Sequence, residues 1–324
     1  MSKKQIQADL WLLLVTLIWG STFVLVKDTI TKIEPCSLTA IRFAFAFLAL
    51  LALFWRRVLA SSRWEVLGGA LIGLFLFAGY AFQTVGLQYT TAGKAGFITG
   101  LSVVIVPFAA FLILRQKPPL NAIIGVVLAT IGLALLSLNE GFTIARGDLI
   151  VLGCAFSFAL HIVLVGAFAP RTDTMALTTA QMGSAALASA ILSWAVERPS
   201  LDLPAEVWLA ALFLGVVANS FAFGVQNAAQ RFTSPTHTAL IFSMEPVFAA
   251  LFAYLLAGET LTKRALVGCA LILAGMVTAE MTRLLAHTAL TCPCRAYPLK
   301  GEQACQMRGS DDASSRHMEG EDGF

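Results

Sequence analysis

Ten apolar runs, each close to the length of a membrane-spanning helix, follow one another along this chain with only short polar breaks between them. They cover approximately residues 8–26, 37–55, 67–87, 95–114, 121–138, 148–168, 174–195, 207–228, 236–256 and 262–284. About 20 apolar residues in a helix cross the hydrocarbon layer of a bilayer. The runs are continuous rather than alternating, which excludes a transmembrane β-barrel and leaves the helix as the way to satisfy backbone groups in lipid. Composition agrees, with 58% hydrophobic and 13% charged residues, where a soluble domain carries about 25% charge. The expected fold class is an all-α polytopic membrane protein with ten transmembrane helices.

A formal charge of +3 offers no basic face for nucleic acid, so none is expected as a partner; the bilayer and a small-molecule substrate are. Lys3 and Lys4 precede a first run of spanning length without a small-residue cleavage site, so that run reads as an anchor rather than a signal peptide. Cys36, Cys154 and Cys269 lie in or beside apolar runs, where cysteine behaves as a small hydrophobe. Cys292, Cys294 and Cys305 sit in a polar tail without a fourth ligand at zinc-finger spacing, so no metal or cofactor is expected.

An even number of spans puts both termini on one side. With the amino terminus inside, the cytoplasmic segments hold Lys3, Lys4, Arg56, Arg57, Arg63, Arg115, Lys117, Arg171, Arg231 and Arg283. The opposite loops hold the smaller set Lys27, Lys32, Lys94, Arg146, Arg198, Lys263 and Arg264, which favours cytoplasmic termini in a plasma (bacterial inner) membrane. Residues 287–324 are polar and acidic at the end, have no periodic apolar face, and read as a disordered cytoplasmic tail.

The chain also matches itself. An offset of 139 lays Asp9-Leu10 on Asp148-Leu149, Leu38-Thr39 on Leu177-Thr178 and Arg42 on Gln181. After a four-residue insertion the offset becomes 143, and Gln83 falls on Gln226, Ile98 on Ile241, Gly125 on Gly268 and Gly132 on Gly275. Polar and glycine matches at a constant offset mark a duplication, with residues 1–7 as an amino-terminal segment, 8–139 as the first repeat and 147–284 as the second. Five spans per copy is odd, so the copies are inverted in the membrane, the signature of alternating-access transport.

The segments Trp19-Gly20-Ser21-Thr22-Phe23, Ile41-Arg42-Phe43, Thr91 through Leu101, Ser243-Met244-Glu245-Pro246 and Gly258-Glu259 together resemble the drug/metabolite transporter superfamily, EamA type. The resemblance covers about 8–284. It implies ten helices, both termini inside, and a central cavity lined mainly by the first, third, fourth, sixth, eighth and ninth helices. It also implies movement of small metabolites, amino acids or drugs, with export expected here. One departure is that the first half has Ser102-Val103 where the second has Glu245-Pro246.

Several polar and aromatic residues are candidates for the cavity. Glu245 falls mid-depth in the ninth run, where a carboxylate must face protein or water; it is either a protonatable coupling group or a cap for the half-helix that Pro246 begins. His161 in the sixth run lies opposite Thr22 in the repeat. The amides Gln83, Asn219, Gln226 and Asn227 either bind substrate or tie helices together. Trp19, Tyr80 and Phe223 either stack on a planar solute or pack, and Thr99 and Ser243 complete the set. Arg42 either holds an anionic group or extends to the interface or to a carbonyl; with Gln181 at the matching position, the two read as structural polar residues. An intramembrane enzyme is the rival class and a receptor or scaffold the third; catalytic motifs such as His-Glu-x-x-His or Gly-x-Ser-x-Gly do not occur, so an enzyme is not expected.

Overall fold

Helices begin where capping chemistry tells them to. The computed structural model describes residues 3–90, 92–137, 146–200, 202–257 and 263–290. Among these residues the secondary structure is helical throughout, without a strand. The elements are α1 (Lys3–Thr29), α2 (Pro35–Ala60), α3 (Arg63–Gly86), α4 (Ala92–Gly100), α5 (Ser102–Leu114), α6 (Leu120–Ser137), α7 (Arg146–Phe168) and α8 (Thr174–Val196). They continue with α9 (Ala205–Phe213), a π-helical stretch Leu214–Phe221, α10 (Ala222–Ala229), α11 (Pro235–Phe242), α12 (Glu245–Ala257) and α13 (Lys263–Leu290). Ser62 and Glu65 form a reciprocal capping box at the start of α3, and Asp173 accepts from the Met175 and Ala176 amides at the start of α8. Pro35 and Pro235 occupy the first turns of α2 and α11, where no amide donor is needed. The Glu197 carboxylate, just past α8, accepts from the Cys36 and Ser37 amides at 2.8 Å each and so caps α2 from a neighbouring helix.

Six described helices are long and apolar enough to cross a membrane, and three shorter apolar ones accompany them. The surface is inverted relative to a soluble protein: Leu53, Leu59, Trp64, Leu112 and Trp194 are largely exposed, while Thr178, Gln181, Asn219, Gln226 and Asn227 are buried. Such an apolar exterior needs lipid around it. This is an integral membrane protein.

Two of the expected continuous spans are divided. The fourth breaks at Leu101 into α4 and α5, and the ninth at Ser243-Met244 into α11 and α12. Pro246 lies in the first turn of α12, where its missing N–H costs nothing. The eighth widens into the π stretch Leu214–Phe221 between α9 and α10.

Contacts divide the chain into two units, Met1–Leu284 and Leu285–Phe324. In the first, α8 packs on α2 and α3, α3 on α7, and α1 on α12 and α10. α6 and α13 meet through glycines: a Cβ at Gly132 would stand 2.6 Å from the Gly268 carbonyl oxygen, and one at Gly275 would stand 2.6 Å from that of Gly125. Only glycine permits this approach, a common device of membrane helices. Of the second unit, residues 285–290 are described and continue α13 into the segment expected to be tail. The remaining tail, the 138–145 connection, Thr91 and Gly258-Glu259 lie outside the described residues, as do Cys292, Cys294 and Cys305. Cys36 and Cys154 are buried free thiols and Cys269 is half-buried.

Candidate functional site

A cavity opens between the helices of the first unit. α1 contributes Trp19, Thr22, Phe23 and Val26; α2 contributes Arg42; α3 contributes Tyr80 and Gln83, with Leu87 just beyond its end. Gly96, Thr99 and Gly100 come from α4, Ser102 from α5, and Phe158, His161 and Ile162 from α7. The opposite wall is Phe223 and Gln226 of α10, Phe242 of α11, Ser243 at the break, and Glu245 and Pro246 of α12. Both helix breaks therefore lie at this cavity, where irregular backbone is tolerated because it does not face lipid.

Aromatic rings form one side. Trp19 and Phe223 are 4.9 Å apart between centroids and Trp19 and Phe242 5.1 Å. Tyr80 meets Phe158 edge-on at 5.4 Å, and His161 meets Phe223 at 5.6 Å. The widened π stretch has a specific role here: its Ala218 carbonyl accepts from the Trp19 indole at 2.8 Å, fixing that ring in the wall. Gln83 donates to the Thr99 hydroxyl at 3.3 Å. Gln226 donates to Gln230 at 2.9 Å, and Gln230 in turn donates to the Ile162 carbonyl, so an amide chain ties α10 to α7. The buried His161 faces Gln181 Oε1 at 3.4 Å, a long contact.

Among the described residues of the lining two are charged, Arg42 and Glu245, of opposite sign. Glu245 makes no hydrogen bond or ion pair with another described residue; its carboxylate caps no backbone amide, which sets aside the capping role considered from the sequence. Arg42 is buried at 3% exposure and gives Nη2 to Asn219 Oδ1 at 2.8 Å. It also stands in the cavity wall.

The other candidates divide cleanly. Trp19, Thr22, Tyr80, Gln83, Thr99, His161, Phe223, Gln226, Ser243 and Glu245 are brought together at the cavity. Asn219 lies behind Arg42, and Asn227 donates to the Thr178 hydroxyl of α8 at 2.7 Å, so neither lines it. Gln181 is likewise buried behind His161. Lining residues missed from the sequence are mostly apolar or glycine, and nothing in an apolar run distinguishes them; Ser102 had a signal, standing at the offset of 143 from Glu245. Among the described residues no group of three or more His, Cys, Asp or Glu gathers as a metal site.

Toward the start of α1, away from the cavity residues Trp19 to Val26, lies an apolar layer. Ala8 and Leu12 of α1 pack with Ala229 of α10 and Ile241 of α11. Asp9 Oδ1 sits 3.1 Å from His237 Nε2 in the same layer.

The EamA-like transporter family model matches the chain twice, over residues 6–138 and 145–279. The chain belongs to the EamA-like transporter family. An Archaeoglobus fulgidus relative, named as an uncharacterized transporter, is 34% identical over 86% of this EamA-like transporter and 87% of its own length. The Bacillus subtilis uncharacterized transporter YyaM is 27% identical, covering 86% and 94%. A Salmonella typhimurium protein named as a probable amino-acid metabolite efflux pump is 26% identical, covering 82% and 91%. A solved crystal structure superposes with a TM-score of 0.72 at 21% identity, covering 86% of this chain and 98% of that one, and supports the fold.

Proposed function

We propose that this EamA-like transporter is a secondary transporter that exports a small metabolite, amino acid or drug across the plasma (bacterial inner) membrane by alternating access between two inverted five-helix halves. The observation that carries this is the cavity, whose wall is drawn from both the 8–139 and the 147–284 segments. Helix bounds support the duplication: the offset of 143 carries α5, Ser102–Leu114, onto α12, Glu245–Ala257, and the Leu101 break onto Met244. The same offset carries the α6 glycines at 125 and 132 onto the α13 glycines at 268 and 275, and each pair meets the other across the crossing.

With the amino terminus inside, Ala8, Asp9 and Leu12 lie at the cytoplasmic end of α1 and Thr22 to Val26 in its outer half. The cavity then reaches outward and the Asp9–His237 layer closes it inward, an outward-facing arrangement. Two copies of one pattern in opposite orientations have two arrangements of similar energy, and exchanging them moves the opening to the other side. Glu245, unpaired at the cavity, is the coupling residue of this scheme. Among the relatives, the efflux-pump name favours export of an amino-acid-like metabolite.

The test is the full chain in sealed liposomes, screened for uptake and efflux against a panel of metabolites, amino acids and drugs. Saturable movement of at least one solute is expected. Binding of solutes without any flux would refute transport and leave a receptor.

A further inference from the structure

Arg42 is a buried cation among the described residues with no counter-ion. Its guanidinium offers five N–H donors. One goes to Asn219 Oδ1, the Tyr80 ring lies 4.5 Å from Cζ with its phenol nearby, and Nε has no acceptor. Neither neighbour carries a negative charge, and no described carboxylate forms an ion pair with it. The deficit extends beyond the arginine. Having given its oxygen to Arg42, Asn219 keeps a buried Nδ2 that also has no acceptor. Two adjacent donors thus lack an acceptor in the middle of a membrane protein, where an uncompensated charge is costly. A role limited to fastening α2 to the π stretch needs neither the charge nor its place in the cavity wall; an amide would serve, and the repeat has Gln181 at the matching position.

We propose that Arg42 is the anion-binding residue of the cavity, taking the carboxylate of a solute whose flat apolar body lies along Tyr80 and Phe223. The proposal rests on the transporter reading. A guanidinium presents two parallel N–H groups to a carboxylate, and such charge-assisted pairs are the strong ones. The neighbouring surface is aromatic: Tyr80 stands 6.3 Å from Phe223, and Phe223 4.9 Å from Trp19, so a ring attached to the carboxylate meets rings. Glu245 lines the same cavity with like charge, so a carboxylate without an amine enters most readily when Glu245 holds a proton.

The test titrates the purified full chain with benzoate, phenylacetate and 3-phenylpropanoate, and with the neutral primary amide of each, following tryptophan fluorescence and thermal stability. At least one carboxylate should bind saturably, with its amide about tenfold weaker or worse. Arg42→Gln should erase that preference. Asn219→Asp is the second variant: nearly isosteric, it supplies Arg42 with an internal counter-ion and should erase the preference while the protein stays folded. Equal binding of acid and amide, no binding of any of the three acids, or a preference that survives in folded Asn219→Asp protein would overturn the proposal. Binding needs no flux, so the two readings fail separately. Carboxylate preference without transport in liposomes sinks the transporter reading alone. Transport of other solutes without carboxylate preference sinks this one alone.

Discussion

Alanine at Gly132 or Gly275 should drive α6 and α13 apart, and the size of the effect follows from the crossing. The added Cβ would sit 2.6 Å from a backbone oxygen in each case, and for Gly275 also 3.0 Å from the Ala129 amide nitrogen. Ordinary contact begins at 3.4 Å, so the helices must separate by roughly 0.8 Å, and neither obstacle is a side chain that can swing away. Overpacking of this kind costs about 1–3 kcal/mol. Alanine also gains about 1 kcal/mol over glycine in a helix interior, so the raw change understates the clash. Gly224→Ala isolates the gain, because the nearest atoms to its Cβ are the Met175 side chain at 3.8 Å and beyond. The quantity to measure is therefore the difference between Gly275→Ala and Gly224→Ala in detergent-denaturation midpoints and unfolding free energy, expected at about 1–3 kcal/mol. The double variant Gly132→Ala/Gly275→Ala should cost less than the sum, with a coupling of at least about 0.5 kcal/mol, because helices already parted by one methyl accept the second. If both crossing variants match Gly224→Ala, the close approach is not what holds this pair together.

Glu245→Gln should leave thermal stability near wild type and uncouple flux from a pH gradient; unchanged pH dependence in liposomes would remove the coupling role. Gly96→Phe should abolish flux at little cost in stability, since a Cβ there meets nothing within 4 Å and the ring fills the cavity; full flux in a stable variant would show that solute passes elsewhere. Ser61→Cys, in a cysteine-free background, should react with an impermeant thiol reagent only from the cytoplasmic side, and labelling of intact cells from outside would invert the topology.

Hydropathy made the long helices legible, because a run such as 37–55 is bounded by Pro35 before it and Arg56-Arg57 after it. It could not show the break at Leu101, since Gly100-Leu101-Ser102 interrupts no apolar pattern and contains no proline. The break at Ser243-Met244 did carry a signal in Pro246, and the offset of 143 would have transferred it to Leu101. For the amides the sequence stated polarity but not direction. Gln83 and Gln226 reach the cavity, whereas Asn219 and Asn227 bond to other helices; polarity at the matching position does not separate them, since Asn227 falls on Thr84. Arg42 and Gln181, at matching positions, part in the same way: Gln181 is buried beside His161, whereas Arg42 reaches the cavity wall.

The two charges of the cavity have a genetic consequence. Arg42 is supplied by α2 and Glu245 by α12, while the matching positions hold the uncharged Gln181 and Ser102. A dimer of two first halves inserted in opposite directions would carry two arginines and no acid; a dimer of two second halves would carry two acids and no arginine. On the proposed duplication, each copy has kept one charge that the other has lost or never gained. On that reading neither half, expressed alone and inserted both ways, would rebuild the pair of charges, and the site needs both halves in one chain.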